Sequence, residues 1–202
     1  MEIKNIVLQD LNNVVEVHKN SFTDFFLTNL GDEFLYVYYQ SLLKDDNALL
    51  LGIFDEGKLY GFCATAVLSN GFNLKLIKNN FFEFVKVGIK ILFSNPNSIV
   101  RLIKNFRKSN PNIKDDGEYA EILSIGVSHH KQGQGFGKKL LIHLESELKL
   151  RDCFYLSLTT DYYNNEKTIK FYNGLGYTIY YEFDAFPSRK MYRMIKKLDK
   201  EL

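Results

Sequence analysis

Hydrophobic residues in the first third of the chain recur with two periods, and each period predicts a different element. Alternation with polar residues predicts short strands, whereas apolar residues three and four positions apart predict amphipathic helices. Between two of the apolar runs, Asp55-Glu56-Gly57-Lys58 predicts a hairpin turn, because glycine supplies the positive φ that a tight turn needs. The predicted order is a strand at 3–8, helices at 11–22 and 34–42, a strand at 48–54, the turn, and a returning strand at 59–68.

The last third of the chain is organised around a glycine-rich loop that follows one apolar strand and precedes one amphipathic helix. That helix carries a single apolar stripe, formed by Leu140, Leu141, Leu144 and Leu148. Alternating strands and helices predict an α/β fold in which helices cover a sheet. The predicted elements are a strand at 119–127, the loop at 132–137, the helix after it, a strand at 154–160, a short helix at 166–173, and strands at 177–183 and 190–195.

The segment at about 72–112 differs from its surroundings, because apolar and basic residues are mixed and acids are nearly absent. Ser94-Asn95-Pro96-Asn97 divides it and predicts a helix stop and restart, so we expect an inserted helical pair. Three roles are open: packing on the sheet, binding of an anionic acceptor, and peripheral contact with an anionic membrane. The basic residues are Lys75, Lys78, Lys86, Lys90, Arg101, Lys104, Arg107 and Lys108, and Glu83 is the one acid among them.

Length and charge narrow the class of protein. A chain of 202 residues fits a single domain, 1–202, around one core. The net charge of +2 is too small for a nucleic-acid-binding domain. Cys63 and Cys153 lie far apart and predict two inert thiols rather than a zinc site or a disulfide framework. No signal peptide and no apolar run of membrane-spanning length stand out, so we expect a cytoplasmic protein.

The loop Gln132-Gly133-Gln134-Gly135-Phe136-Gly137 has the properties of an anion site. Its glycines let the backbone approach a ligand, and the unpaired N–H groups at the start of the next helix favour a pyrophosphate. A Walker loop is excluded, because no Gly-Lys-Ser/Thr follows Gly133 at the required offset. A Rossmann fingerprint fits poorly, since the glycines read GxGxG and lie late in the chain.

The loop matches [Q/R]xxGx[G/A], the signature of the Gcn5-related N-acetyltransferase (GNAT) family, and the chain resembles that family over a longer stretch. Residues 125–141 resemble its fourth strand, pyrophosphate loop and following helix, and Asn165 with Tyr172, Leu175 and Gly176 is similar to its second signature. The resemblance implies a mixed, mostly antiparallel sheet whose fourth and fifth strands splay apart, helices on both faces, and acetyl-CoA as cosubstrate. It implies cofactor contacts at Ile125, Gly126, Val127, Gln132, Gly133, Gln134, Gly135, Phe136, Gly137, Lys138 and Asn165.

Catalytic roles follow from the same resemblance. Tyr172 would lie beside the thioester sulfur, where a phenol can protonate the departing thiolate. A base must take the proton of the attacking ammonium, either the Glu121 carboxylate or a chain of waters. Some family members carry this base five residues before the motif Asn, where this chain has Thr160 followed by Asp161. Asn165 would bind the pantetheine amides or cap the next helix.

The remaining polar residues give weaker signals. His129 and His130 lie in the turn before the loop and are not expected to be catalytic, and no residue spacing indicates a metal site. The pattern Leu30-Gly31-Asp32-Glu33-Phe34-Leu35-Tyr36-Val37-Tyr38-Tyr39 resembles acetyltransferases that modify sugars in surface-polysaccharide pathways.

We therefore expect a transferase that acetylates a primary amine of a small molecule, with an anionic amino-sugar nucleotide as a candidate acceptor and no nucleic-acid partner. The alternatives are a coenzyme A-binding sensor without turnover and an acyltransferase that uses a longer acyl-CoA. The sequence leaves the oligomeric state open, with a homodimer as one option.

Overall fold

The computed structural model describes residues 1–23, 25–94 and 115–199 of the chain. Its strands are β1 (Glu2–Asn5), β2 (Ala48–Asp55), β3 (Lys58–Ala66), β4 (Ala120–Val127), β5 (Tyr155–Asp161), β6 (Thr178–Ala185) and β7 (Arg189–Lys197). Its helices are α1 (Leu11–Ser21), α2 (Asp32–Leu43), α3 (Phe72–Asn79), α4 (Phe81–Ser94), α5 (Phe136–Lys149) and α6 (Glu166–Asn173). Outside the 72–112 segment, this order agrees with the elements predicted from hydrophobic periodicity.

The seven strands form one mixed sheet in the order β1-β2-β3-β4-β5-β7-β6. All neighbours are antiparallel except β4 and β5, which run parallel. The α5 helix connects these two strands, as parallel strands require a crossover connection. The expectation of a mixed, mostly antiparallel sheet with helices is confirmed.

The parallel strands β4 and β5 pair over only part of their length. Pairing extends from Ala120 opposite Leu156 to Ile122 opposite Leu158. Beyond that point β4 continues to Val127 and β5 to Asp161 without facing each other in a ladder. The expected splay therefore leaves a gap in the middle of the sheet, with unpaired main chain along the edge of β4.

A β-bulge in β4 changes which residues share a face. Ser124 pairs with Ala64, but Ile122 pairs with Thr65, so Leu123 is an extra residue on β4. Leu123 packs on the α1–α2 side of the sheet, whereas Ile125 and Val127 pack on the α5 side. The two-residue period of an uninterrupted strand predicts that Glu121, Leu123, Ile125 and Val127 face one layer. That expectation is wrong, because the bulge interrupts the two-residue period.

Two hydrophobic clusters lie on opposite faces of the sheet, and successive residues of β2 contribute to them in turn. Leu50 belongs to the cluster under α1, α2, α3 and α4, and Leu49 and Leu51 belong to the cluster under α5. The predicted apolar stripe of α5 is fully buried in the second cluster at Leu140, Leu141, Leu144 and Leu148. The sheet is therefore the middle layer of a three-layer structure.

The inserted segment contains a helix break that the sequence pattern did not predict. One helix was expected before Ser94, but α3 and α4 are separated at Asn80, whose side chain donates a hydrogen bond to the Leu76 carbonyl. Asparagine competes with the helix in this way because its side chain bonds to nearby backbone groups. Phe72, Leu76, Val87 and Ile91 bury the pair in the first cluster. The second predicted helix, at 98–110, lies outside the described residues.

None of the helices in the described ranges is both long and apolar enough to cross a membrane.

Candidate active site

The gap between β4 and β5 opens into a cavity of about 400 Å³. One side is formed by the end of α1 and the segment after it, and the other by the ends of β5 and β7 and by α6. Both aromatic and polar side chains line it, as in many small-molecule sites. The lining residues are His18, Ser21, Phe22, Phe25, Phe26, Leu27, Ile122, Leu123, Ser124, Ile125, Leu158, Thr159, Thr160, Asp161, Asn165, Thr168, Tyr172, Arg189 and Met191.

Tyr172 lies on α6 and reaches the cavity from the α5 face of the sheet. It is 7 % exposed, and its ring makes edge contacts with Phe171 and Tyr177. Its hydroxyl has no hydrogen-bond partner among the described residues. Burial raises the pKa of Tyr172, and the neighbouring Cys63 raises it further. The phenol therefore stays protonated and free to donate at neutral pH.

The glycine-rich loop forms the N-terminus of α5. Gly133 and Gly135 have φ of 75° and 82°, and a Cβ at either position would meet nothing within 4 Å. The N–H groups of Phe136, Gly137 and Lys138 have no acceptor in the helix or in the turn before it. Open backbone next to unpaired donors at a helix N-terminus fits a pyrophosphate group.

The side chains around this loop divide into those that hold its shape and those that face solvent. Gln132 donates to the Val127 carbonyl at 3.1 Å, and Gln134 donates to the His130 carbonyl at 2.9 Å. Both glutamines therefore stabilise the turn. Phe136 is buried in the cluster under α5. Lys138 is exposed, and its ammonium has no partner among the described residues, so it can bind a phosphate.

The predicted main-chain contacts on β4 lie beside the gap. Ile125, Gly126 and Val127 pair with β3 on one edge, and no strand of the described residues pairs with them on the other. A Cβ on Gly126 would lie 3.0 Å from Ser21 Oγ and 3.1 Å from the Phe62 ring, so a larger residue would displace these side chains where α1 crosses the strand. The edge toward β5 offers main-chain groups to a ligand in the gap.

Asn165 occupies the N-cap position of α6, although its side chain does not cap the helix. Its amide donates to Thr160 Oγ1 at 2.6 Å and to the Asp161 carbonyl at 2.9 Å. These bonds close the turn between β5 and α6 and leave the amide oxygen for a donor in the cavity. The predicted capping by the side chain is therefore absent, and the contact with pantetheine stays a prediction that the position of Asn165 in the cavity lining allows.

Glu121 is buried away from the cavity and paired with a cation. Its Oε1 lies 2.9 Å from Arg193 Nη1, the two side chains are about 5 % exposed, and Ser69 donates to its Oε2. It is absent from the cavity lining. The carboxylate is therefore neither exposed to solvent nor in contact with the cavity. Its role as general base stays a prediction without geometric support.

Three groups of residues in or beside the cavity were not predicted to be functional from the sequence. Asp161 and Arg189 form a two-point ion pair, with Arg189 Nη2 2.6 Å from Asp161 Oδ2, and the guanidinium lies 4.6 Å from the centre of the Phe25 ring. His18, Tyr39 and Ser124 form a hydrogen-bonded chain. The aromatic wall of Phe22, Phe25 and Phe26 follows α1. These residues come from separate segments, so no local motif could have indicated them.

The two cysteines do not supply a nucleophile. Cys63 is fully buried, and burial raises its pKa to about 12. Cys153 donates to the Val67 carbonyl at 3.2 Å, and burial raises its pKa as well. Among the described residues, no group of three or more His, Cys, Asp or Glu side chains could hold a metal ion.

Comparison with known proteins identifies the class that this fold and site define. The family model of the acetyltransferase (GNAT) family matches residues 13–177. The ribosomal-protein-S18-alanine N-acetyltransferase of Escherichia coli superposes with a TM-score of 0.63 at 15 % identity, covering 100 % of this chain and 96 % of that one. The PaiA N-acetyltransferase of Thermoplasma acidophilum, in complex with coenzyme A, gives 0.60 at 17 % identity, covering 97 % and 98 %.

An aminoglycoside 6'-acetyltransferase type Ii gives a TM-score of 0.62 at 14 % identity, with 100 % of both chains covered. No protein of curated function matches the chain by sequence. The chain belongs to the GNAT acetyltransferase family. It is an N-acetyltransferase that uses acetyl-CoA. The membership of the GNAT family that the two sequence motifs predicted is therefore confirmed.

Proposed function

We propose that this enzyme acetylates the primary amine of a small molecule that enters the cavity from the α1 side. The observation that carries the proposal is that the described lining of one cavity beside the gap includes both Tyr172 of α6 and the Phe25–Arg189 contact. Donor and acceptor can therefore approach each other from opposite faces of the sheet.

The donor half of the site consists of the loop, the open edge of β4, and α6. Acetyl-CoA supplies an electrophilic thioester carbonyl. The first-turn N–H groups of α5 and the Lys138 ammonium bind its pyrophosphate. Main-chain groups from Ile125 to Val127 and the Asn165 amide hold the pantetheine arm, and an N–H on β4 stabilises negative charge on the carbonyl oxygen.

Tyr172 is proposed to donate its proton to the departing thiolate. Its raised pKa keeps it protonated, and its hydroxyl is free to donate. The ammonium of the acceptor must lose a proton before it can attack. Because Glu121 forms a buried ion pair with Arg193, we propose that water in the cavity accepts this proton.

The part of the cavity next to α1, where the acceptor amine would bind, favours a compact amine with an apolar or ring-shaped body. Phe22, Phe25, Phe26 and Leu27 form its wall. A cavity of about 400 Å³ also has to hold the end of the pantetheine arm, which limits the acceptor's size. Arg189 is the one cation of the described lining, and Asp161 neutralises it.

The narrower proposal of an anionic amino-sugar nucleotide rests on the inserted segment rather than on this cavity. Of its basic residues, Lys75, Lys78 and Lys86 have no ion pair among the described residues, and Lys90 binds Glu33 at 2.5 Å. Arg101, Lys104, Arg107 and Lys108 lie outside the described residues. The alternative proposal, that this segment contacts an anionic membrane, is supported by the same basic residues.

An acetyl-transfer assay with five acceptors tests the proposal: glucosamine, a uridine-diphosphate amino sugar, phenethylamine, spermidine and a peptide with an N-terminal alanine. Turnover of a small amine with kcat/KM above that of the peptide is expected. Tyr172→Phe should lower kcat about 100-fold and leave acetyl-CoA binding intact, because the hydroxyl acts as thiolate develops. Turnover of the peptide alone would overturn the small-molecule assignment, and wild-type kcat in the variant would remove Tyr172 from the chemistry.

A further inference from the structure

A buried series of hydrogen bonds leads from the helices α1 and α2 to the gap between β4 and β5. His18 Nδ1 lies 2.6 Å from the Tyr39 hydroxyl, which lies 3.0 Å from Ser124 Oγ. The three residues come from α1, α2 and β4, and no sequence motif connects them. His18 is 2 % exposed and Tyr39 is fully buried, so the first two links are isolated from bulk water.

Ser124, the last member of this series of hydrogen bonds, lies where β4 and β5 have separated. Ser124 lies two residues beyond Ile122, the last residue of β4 that pairs with β5, and it lines the cavity. The bulge at Leu123 places Ser124 on the α1–α2 face, which is the acceptor side of the gap, whereas Ile125 faces α5. A hydroxyl oxygen has two lone pairs and one proton, so after bonding to Tyr39 it still has an acceptor position for a second partner.

The three hydrogen-bonded side chains, His18, Tyr39 and Ser124, carry no net charge at neutral pH. Desolvation lowers the pKa of His18 to about 4, and burial raises the pKa of Tyr39. His18 is therefore a poor final proton acceptor, but its neutral ring fixes the direction of the Tyr39 hydroxyl. Its Nε2 has no hydrogen-bond partner among the described residues.

We propose that Ser124 accepts a hydrogen bond from the attacking amine, and that Tyr39 and His18 are positioning residues that hold its hydroxyl in place. The inference rests on the proposed function, because it requires an amine on the α1 side of the gap. The hydrogen bond would direct the amine's lone pair toward the thioester carbon. Such orientation contributes to the rate of a transfer between two bound reactants.

Steady-state kinetics with the panel amine of highest kcat/KM test this role. Ser124→Ala should lower kcat/KM for the amine by about tenfold or more, with the KM for acetyl-CoA within about twofold. Tyr39→Phe should cause a smaller loss, and Tyr39→Phe combined with Ser124→Ala should be no worse than Ser124→Ala alone.

Two comparisons separate positioning from simple packing. Tyr38→Phe is the matched control, because Tyr38 is also buried on α2 but has no hydrogen bond among the described residues. His18→Asn retains an amide near the position of Nδ1 and should keep more activity than His18→Leu. Additive losses in the double variant, or a lower melting temperature with unchanged amine kinetics, would overturn the proposal. A wild-type enzyme that acetylates no panel amine would instead contradict the proposed function.

Discussion

At the scale of single residues, Glu121 illustrates how burial changes the role expected of a carboxylate. On an isolated strand it is a candidate base, but in the fold it neutralises Arg193, which also donates to Ser157. Removing one partner of a buried ion pair leaves the other charge without compensation. The pair therefore connects β4 to β7 at the closed end of the gap.

Glu121→Gln is expected to lower the free energy of unfolding by about 3–5 kcal/mol, measured by urea denaturation. The pH–rate profile of the folded variant should keep its shape, since the proton of the amine leaves by another route. Replacing both partners, as Glu121→Gln with Arg193→Met, should recover most of the loss. Glu2→Gln, in an exposed pair with Lys4, is the control and should change stability by less than about 1 kcal/mol. A stable variant whose profile shifts to higher pH would restore Glu121 as the base.

At the scale of elements, the loop and α5 act together as one anion site. The positive φ of Gly135 turns the chain so that the first N–H groups of the helix face outward. Alanine at this position would cost about 1–2 kcal/mol in backbone strain. Aspartate would add the same strain and a negative charge at the proposed pyrophosphate position.

Gly135→Asp should therefore abolish the rise in melting temperature that acetyl-CoA causes, whereas Gly135→Ala should keep part of it. The measurement is a thermal shift titration with acetyl-CoA. Gly57→Asp is the matched control, because Gly57 also has positive φ and open space but lies in the β2–β3 hairpin. Equal shifts in wild type and in Gly135→Asp would remove the loop from cofactor binding.

At the scale of the whole molecule, two clusters share one sheet and are expected to unfold together. Leu35 belongs to the cluster under α1 and α2, and Leu144 to the cluster under α5. Both are fully buried, so replacing either by alanine should cost about 2–5 kcal/mol. Each variant should shift one common unfolding transition, monitored by circular dichroism and by tyrosine fluorescence. Two transitions that respond separately would contradict the prediction of a single domain at 1–202.

Local chemistry determined the parts of this protein that could be predicted from sequence. Periodicity located the strands and helices, because burial of one face requires apolar residues at a fixed spacing. The loop at 132–137 indicated a phosphate site, because glycine conformations and helix N-termini act within a few residues.

Tertiary structure alone decided how distant residues combine. The bulge at Leu123 depends on pairing with β3, and it determines which side chains face the acceptor. Three sets of contacts join segments that are far apart in the sequence. They are the Glu121–Arg193 ion pair, the Asp161–Arg189 ion pair and the hydrogen bonds that link His18, Tyr39 and Ser124. Their physical basis is burial and charge pairing between elements, which no single stretch of sequence contains.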